Sequence, residues 1–486
     1  MNNRNPLPWL ASLALFALCA TGCAVGPDYR RPPLPEAKAY TRAPIAAAPA
    51  GESEAQHLDR GAKVPKPWWQ AFGSPTIDAL VEHAFRQNPG LDAARAALRR
   101  AEANRAAQYG SYLPAVQADY SASRQREAVG LISPTLESGK ARYTLHTAQL
   151  SIAYAPDVFG LNRRAVESLA AQEAAQRFER DAAQTTLAAN VVCAAIEIAS
   201  LEAQRRARQA ALAAAHEASA QVLRQLAAGF ASALDLAAQE AAAAQMDAAI
   251  HPLEKQLEQT RNLLAALIGE PPEALDIHID LDALTLPTHL PLSLPSALIE
   301  TRPDVRAAEA EVQAASADVG LAIANRLPQF TITAAHGGSA TRLSRLFGDG
   351  HIFWSLLGGL TQPIFDFGAL KHRQQAAEAA LEQAIAQYRQ TVLSAFQNVA
   401  DSLYALDADA KSLKATERLE AAAKKTRDLS QIQLEAGDIN RLTLLVAEQA
   451  YQEARLARIE AKASRFISAA ALHQSLGGGL DDRTGD

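Results

Sequence analysis

Apolar side chains recur at every third or fourth position along two long stretches that contain neither glycine nor proline. The stretches cover residues 161–228 and 369–436, and each has 68 residues. In the second stretch the mean apolar spacing is about 3.5 residues, which is typical of helices in a left-handed supercoil. Each helix would be roughly 100 Å long, more than one globular core can enclose. The pattern predicts long coiled-coil-like helices that pack within a larger assembly.

Shorter helices are predicted beside the long ones. Residues 89–109 and 303–324 each begin with proline, which is favoured in the first turn of a helix. Residues 234–268 and 442–476 follow the long stretches after a glycine turn. Pro252 predicts a kink in the first of these two helices.

Four segments between the helices have the composition of β-strands. They cover residues 115–123, 143–154, 329–335 and 352–361, with alternating or continuous apolar character. Where their length can be judged it is close to the roughly 9–11 residues of a tilted transmembrane strand. The connecting residues 124–142 and 336–350 are polar, contain glycine and are predicted to be outward loops.

Four strands cannot close a barrel, and an open sheet edge is not tolerated in lipid. Two chains would supply eight strands and three chains twelve, so membrane-spanning strands here would require an oligomer. For the helices alone, an ordinary two-stranded coiled coil is the alternative. The strands argue against it.

Glycine and proline mark a tandem repeat. Two proline-containing pairs recur after 214 residues and three glycine positions recur after 208 residues. The first set is Asn88-Pro89 and Leu113-Pro114 with Arg302-Pro303 and Leu327-Pro328, and the second is Phe159-Gly160, Gly229 and Gly269 with Phe367-Gly368, Gly437 and Gly477. Matched spacing of this kind predicts two copies of one unit, at residues 67–286 and 287–478, followed by a short tail at 479–486.

The N-terminus has the pattern of a lipoprotein signal over residues 1–22. Arg4 precedes an apolar stretch that is too short to span a bilayer. Ala-Thr-Gly-Cys at residues 20–23 is similar to a lipobox and predicts an acylated Cys23. The alternative is a simple signal peptide with a bystander cysteine. Residues 23–66 are rich in proline and alanine, and are predicted to be a lipid-anchored tether.

Composition narrows the functional classes. The 486 residues are 49% hydrophobic but only 6% aromatic, which favours close helix packing. The net charge of −6 gives no basic footprint for nucleic acid. The histidines lack metal-ligand spacing, the common catalytic motifs do not occur, and Cys193 is predicted to be a buried apolar residue. We therefore expect neither an enzyme nor a cofactor or metal site, apart from the covalent lipid.

Several segments together resemble the TolC-like outer membrane efflux proteins, and among them the NodT-type lipoproteins. They are CAVGPDYRRP at 23–32, PWWQAFGSPTIDALVEHAFRQNPGLDAA at 67–94, PDVFGLNRR at 156–164, RPDVRAAE at 302–309 and QPIFDFG at 362–368. The resemblance covers almost the whole chain after Cys23. It implies a mainly α-helical homotrimer, with a trimeric α-barrel of long helices in the periplasm and a 12-stranded β-barrel in the outer membrane.

The same resemblance implies partners and a mechanism. The trimer would be the exit duct of a tripartite efflux system, docked on a periplasmic adaptor and an inner-membrane RND-type pump. Adaptor docking carries over to the helical turns at Gly229-Phe230 and Gly437-Asp438. The pore constriction would lie near the second turn.

The constriction departs from the family pattern. Where the family often has aspartates six and nine residues after the second glycine, this chain has Thr443 and Val446. Asp235 and Asp438 could form an acidic ring, or Leu442 and Val446 an apolar one. For the two aspartates the alternative role is a helix cap or first-turn acid. For the whole chain, the alternative function is a lipidated periplasmic coiled-coil adaptor or structural lipoprotein.

Overall fold

The computed structural model describes residues 24–33, 39–42, 56–126 and 142–478. They fall into two compact units. The strand unit takes in the described residues of 97–176, residues 307–388 and the described N-terminal residues up to Pro33. The turn unit takes in the described residues of 34–96, together with 177–306 and 389–478.

The helices account for most of the described chain. In order they are α1 (Pro75–Gln87), α2 (Pro89–Tyr109), α3 (Leu161–Ala227), α4 (Ala233–Ala248), α5 (Ile250–Ile268), α6 (Pro295–Thr301), α7 (Pro303–Ala324), α8 (Ala369–Ala436) and α9 (Arg441–Ser475). The prediction of two long unbroken helices is confirmed by α3 and α8, with 67 and 68 residues. One window of α3 is apolar enough for a membrane helix, but 72% of it is buried, as in a packed core.

The helices that follow the two long ones differ in continuity. A helix kinked by Pro252 was predicted over residues 234–268, and the interruption is a full break at Ala249 that separates α4 from α5. Pro252 explains the break, because it has no N–H to donate to the carbonyl of Ala248 four residues earlier. Its counterpart α9 lacks such a proline and runs unbroken for 35 residues.

The strands are β1 (His57–Arg60), β2 (Ala115–Arg126), β3 (Arg142–Tyr154), β4 (His289–Leu292), β5 (Gln329–Ala340) and β6 (Ile352–Thr361). The strand unit holds a four-stranded antiparallel sheet in the order β2-β3-β5-β6. The predicted ends of β2 and β5 were wrong, because both strands continue into segments that were predicted as loops. In β5 the chain passes through Gly337 and Gly338, which pair with β3 on one side and β6 on the other.

The N-terminal segment is not a free tether where the structure describes it. Both Nε and Nη2 of Arg31 donate to the carboxylate of Glu309 on α7, each at 2.7 Å. Gly26 lies so close to Gly320 that a Cβ on Gly26 would come within 2.4 Å of the Gly320 Cα. The segment is therefore packed onto α7 within the strand unit.

A buried arginine holds the same segment to the start of α3. The Arg164 side chain is only 3% exposed and donates to the carbonyl of Val25 and to the carboxylate of Asp28, both at 3.0 Å. It also donates to Glu167 at 2.7 Å. Composition gave no hint of these long-range contacts.

The turn unit contains a second, smaller pairing that the sequence did not predict. Strands β1 and β4 are parallel, with His57 opposite His289. His289 Nδ1 lies 3.0 Å from an Asp59 carboxylate oxygen. The proline-rich segment thus joins the turn unit as a β-strand.

The mainly aliphatic core of the turn unit also contains aromatic side chains and the buried Arg302. Trp68 is buried and stacks on His473 with ring centroids 5.2 Å apart, and Phe72 packs against Phe466. Arg302 donates to Asp304 at 2.6 and 2.9 Å and to the Ser475 carbonyl at 2.9 Å. Arg302 thus pairs with Asp304 at the start of α7.

The described cysteine is chemically quiet. Cys193 lies on α3 and is half-buried. Burial raises the pKa of the Cys193 thiol to about 11, so it is protonated at neutral pH. The prediction of a fully buried residue is therefore met only in part.

Candidate functional site

The four-stranded sheet has two chemically different faces. Register places Val116, Ile152, Ala334 and Leu356 in one row, on the face that we call the apolar face. The same face carries exposed large side chains, which are Tyr120, Leu150, Ile332, Ile352, Trp354 and Leu360. Alternation of this kind is the signature of a sheet with one side toward lipid.

The opposite face, the polar face, carries mainly hydroxyl, amide and carboxylate groups, with Leu357 as an exposed apolar exception. On this face Gln117 of β2 lies opposite Ser151 of β3, and Thr147 of β3 lies opposite Ser339 of β5. Ser151 donates to an Asp119 carboxylate oxygen at 3.0 Å. A water-filled lumen would solvate these groups, whereas lipid would not.

The two outer strands of this sheet have no neighbour on one side. Strands β2 and β6 lie at its edges, and the described residues supply no further strand to either. Unpaired backbone groups on an edge are costly in hydrocarbon, so one chain does not complete a membrane structure by itself.

The turn after each long helix has the same hydrogen bonds. Gly229 has a φ of 83° and its N–H donates to the Leu226 carbonyl at 3.0 Å, while Phe230 donates to Gln225 at 2.8 Å. At the second turn, Gly437 also has a φ of 83°, and it donates to Leu434 while Asp438 donates to Gln433. Both are Schellman motifs, which need glycine at the left-handed position. The predicted reversal at both glycines is confirmed.

Asp235 caps the helix after the first turn. The Ser232 hydroxyl accepts from the Asp235 N–H at 3.1 Å, and the Asp235 carboxylate accepts from the Ser232 N–H at 2.9 Å. Hydrogen bonds from the Ser232 side chain, then from its backbone, hold the pKa of Asp235 below its usual value. This reciprocal capping box fits the capping alternative for Asp235.

Asp438 does not cap the second helix. The N-cap of α9 is Asn440, whose side-chain oxygen accepts from the Thr443 N–H at 3.0 Å. The capping alternative for Asp438 was therefore wrong, because the helix begins two residues later than that role requires. Asp438 lies exposed in the turn.

Large apolar side chains are exposed around both turns. Leu442 and Val446 on α9 are 53% and 59% exposed, and Phe230 at the first turn is 86% exposed. Leu223 and Leu234 are also exposed. Side chains of this size in solvent on one chain are typical of surfaces that meet a partner.

One arginine joins the two helical hairpins. Arg441, the first residue of α9, donates from Nη2 to Gln221 at 3.0 Å and from Nη1 to Gln225 at 3.4 Å on α3. The role of Arg441 was not predicted from the sequence, because nothing local indicates which helix its side chain faces. A basic residue at the start of a helix, where the dipole disfavours it, was the available signal.

The structure bears on a possible metal site but not on the predicted lipid site. Cys23 lies outside the described residues, so its side chain has no structural account. Among the described residues, no three histidine, cysteine or acidic side chains come together as a metal site. His278 and His289 lie within ion-pair distance of Glu202 and Asp59.

Residues 80–270 and 294–478 each match the sequence model of the outer membrane efflux protein family. The chain belongs to this family. It is 30% identical to the pyoverdine export outer membrane protein OpmQ of Pseudomonas aeruginosa, over 92% of this chain and 95% of OpmQ. It is also 30% identical to the toluene efflux pump outer membrane protein TtgC of Pseudomonas putida, over 98% of this chain and 96% of TtgC.

Solved structures show the same fold. The open-state outer membrane channel MtrE of Neisseria gonorrhoeae superposes with a TM-score of 0.81 at 27% identity, covering 94% of this chain and 99% of MtrE. The chain is an outer membrane efflux channel with a large periplasmic part. Its relatives are channels and not enzymes, as the sequence predicted, and the adaptor alternative is not supported.

Proposed function

We propose that three copies of this chain form one duct across the outer membrane and the periplasm. The observation that carries the proposal is the four-stranded sheet with one apolar face and two unpaired edges. Joining β2 of one copy to β6 of the next removes every edge and gives twelve strands for three copies. The two family matches within one chain favour two tandem repeats, so that three chains supply six similar helical units.

The position of Ala24 supports a lipid on the preceding residue, Cys23. Ala24 lies against Gly160, where a Cβ would come within 2.8 Å of the Ala24 Cα. Gly160 follows β3, which ends at Tyr154, so Ala24 is held near the helix side of the sheet. An acyl chain on the preceding residue would enter the periplasmic leaflet beside the strands.

The turns are the proposed contact with a periplasmic adaptor. Gly229 and Phe230 in the first turn, and Gly437 and Asp438 in the second, present one exposed aromatic side chain and one carboxylate. An RND-type pump in the inner membrane would supply the energy, since a duct of this kind is passive. The adaptor would align pump and duct.

The proposed constriction lies at the start of α9. Leu442 and Val446 would form an apolar ring, with Asp438 as the acidic neighbour that faces the periplasm. Asp235 is the weaker candidate, because its carboxylate is engaged by Ser232. Opening would separate Arg441 from Gln221 and Gln225, which tie the two hairpins together.

The cargo is proposed only as a class. Relatives with the same 30% identity are named for pyoverdine and for toluene, which share little chemistry. A duct that leaves selection to its pump accounts for this variety. We expect small organic molecules, including toxic compounds.

A matched pair of arginine substitutions tests the orientation of the sheet. Leu150 lies on the apolar face and its neighbour Gln149 on the polar face of the same strand. An arginine toward lipid costs about 2–4 kcal/mol near the bilayer midplane, whereas one toward the lumen is tolerated. Leu150→Arg should abolish trimer recovery from outer membranes, and Gln149→Arg should leave it intact.

Native mass spectrometry and planar-bilayer recording provide the readouts. The expected species has three times the chain mass and conducts after reconstitution. A stable monomer that leaves the membrane without detergent once the lipid is removed would contradict the duct. Equal recovery of the two arginine variants would contradict the assigned faces.

A further inference from the structure

Three arginines lie together where β2 and β3 run away from the helices. Arg126 is directly opposite Arg142, and Arg124 is opposite Thr144. Register with Val116 and Ile152 places all three arginines on the apolar face. Their side chains are exposed.

The polar face is uncharged at the same level. Ser123, Gln125 and Tyr143 occupy it, and the Gln125 amide donates to the Tyr143 hydroxyl. Among the described residues of β2 and β3, the positive charge at this level therefore lies on the face that is proposed to meet lipid. A charge that selects cargo in the pore would lie on the other side.

The cluster lacks an internal counter-charge in the part of the chain that the structure describes. Opposed like charges on neighbouring strands repel each other. Within the described ranges no carboxylate forms an ion pair with Arg124, Arg126 or Arg142. An external anion between them would relieve the repulsion, and guanidinium groups bind phosphate in a bidentate manner.

The arginines also lie at the right height for headgroups. On the apolar face of β2, Tyr120 and Ala122 are followed directly by Arg124. The side chains of this face therefore change from apolar to charged at that position. The Tyr120 hydroxyl and His146 Nδ1 are hydrogen-bonded at 2.9 Å, which places polar atoms on the apolar face just below the arginines. The strands join the helices at their opposite ends, so the arginine end is at the outer surface of the membrane.

We propose that Arg124, Arg126 and Arg142 form a binding site for the phosphate groups of a glycolipid of the outer leaflet. Its acyl chains would lie against the apolar side chains below, such as Tyr120 and Leu150. Such a lipid would both neutralise the cluster and fix the height of the channel in the bilayer.

The test measures lipid retention by the full-length channel purified in detergent. Bis-phosphorylated lipid A and dephosphorylated lipid A are added separately, and bound lipid is counted by native mass spectrometry. The wild type should retain the phosphorylated form. R124Q/R126Q/R142Q should retain it roughly tenfold less, since each cation near the surface contributes to anionic lipid binding.

Two further variants control for folding and for charge. S121Q/S123Q alters the polar face at the same level and should bind as the wild type does. R124K/R126K/R142K keeps the charge but loses the bidentate geometry, so it should retain less lipid than the wild type and more than the glutamine variant. Equal retention of dephosphorylated lipid A by the wild type, or unchanged retention by the glutamine variant, would overturn the proposal. Displacement by inorganic phosphate at matched concentration would assign the site to free phosphate and also overturn it.

Discussion

The two helical turns have the same backbone and different chemistry. Each ends its long helix with a Schellman motif at a glycine whose φ is 83°. After Gly229, a reciprocal Ser232–Asp235 box starts a helix that breaks at Ala249. After Gly437, Asn440 alone caps a helix that is continuous for 35 residues. Backbone reversal is thus common to both turns, and side-chain chemistry distinguishes them.

The difference leads us to expect separate roles for the two turns. A carboxylate that is tied into a capping box contributes to helix stability and is less available to a passing ion. At the second turn the cap is the neutral Asn440, so Asp438 has no capping role there. We expect changes at the second turn to alter conduction, and comparable changes at the first to alter local stability alone.

The largest expected effect is on conductance. Leu442→Ser with Val446→Ser should widen and wet the proposed apolar ring, and should raise single-channel conductance in planar bilayers. Leu223→Ser with Leu234→Ser makes the matched change at exposed leucines of the first hairpin, and should leave conductance near the wild-type value. An equal rise in both double variants would remove the distinction between the turns.

A side chain at either turn glycine should strain the backbone by the same amount. A Cβ on Gly229 or Gly437 would meet no atom within 4 Å, so only the positive φ opposes a side chain there. Gly229→Val and Gly437→Val should each destabilise the turn by about 1–3 kcal/mol. Hydrogen exchange of the turn amides gives the readout. Ala228→Val and Ala436→Val, one residue earlier, should have much smaller effects, and unequal losses at the two glycines would contradict the shared geometry.

Much of this fold is legible in the sequence because it is local. The absence of glycine and proline marked α3 and α8, and glycine marked the reversals with positive φ. Strands β1 and β4 were missed because four residues carry too little pattern and their partners are distant in the chain. The end of β5 was missed because Gly337 and Gly338 resemble a loop until their neighbours on both sides are known.

The candidate site divides in the same way. The Ser232-x-x-Asp235 spacing can be read directly as a capping box, and this accounts for Asp235. The role of Arg441 cannot be read, because its partner Gln221 lies 220 positions away. Likewise the arginines at the end of β2 acquire a meaning only from strand register, which shows that they share one face.

Substitutions of the capping residues should destabilise the helices less, and the increase in hydrogen exchange should extend further along α4 than along α9. Ser232→Ala and Asn440→Ala each remove a bond to a first-turn amide, at a cost of about 1 kcal/mol. Because α4 is short and ends at Ala249, faster hydrogen exchange should extend along its whole length. In α9 it should stay within the first turn. Ser232→Thr keeps the hydroxyl that bonds Asp235, and Asn440→Asp keeps a capping oxygen, so both should preserve protection. Local fraying in both alanine variants would contradict the contrast.

The smallest expected effect is a pH dependence found at one turn only. Hydrogen bonds from Ser232 lower the pKa of Asp235, so the folded state binds this proton less readily than the unfolded chain, whose pKa is about 3.9. The capping contribution of Asp235 is therefore complete above that value and is lost as the pH falls through the lowered pKa. Hydrogen exchange in α4, corrected for its intrinsic rate, should rise in this acid range for the wild type but not for Asp235→Asn. Hydrogen exchange at the start of α9 should not change in this acid range, because the side-chain amide of Asn440 does not titrate. An equal increase there would show that the two caps do not cause the difference between the turns.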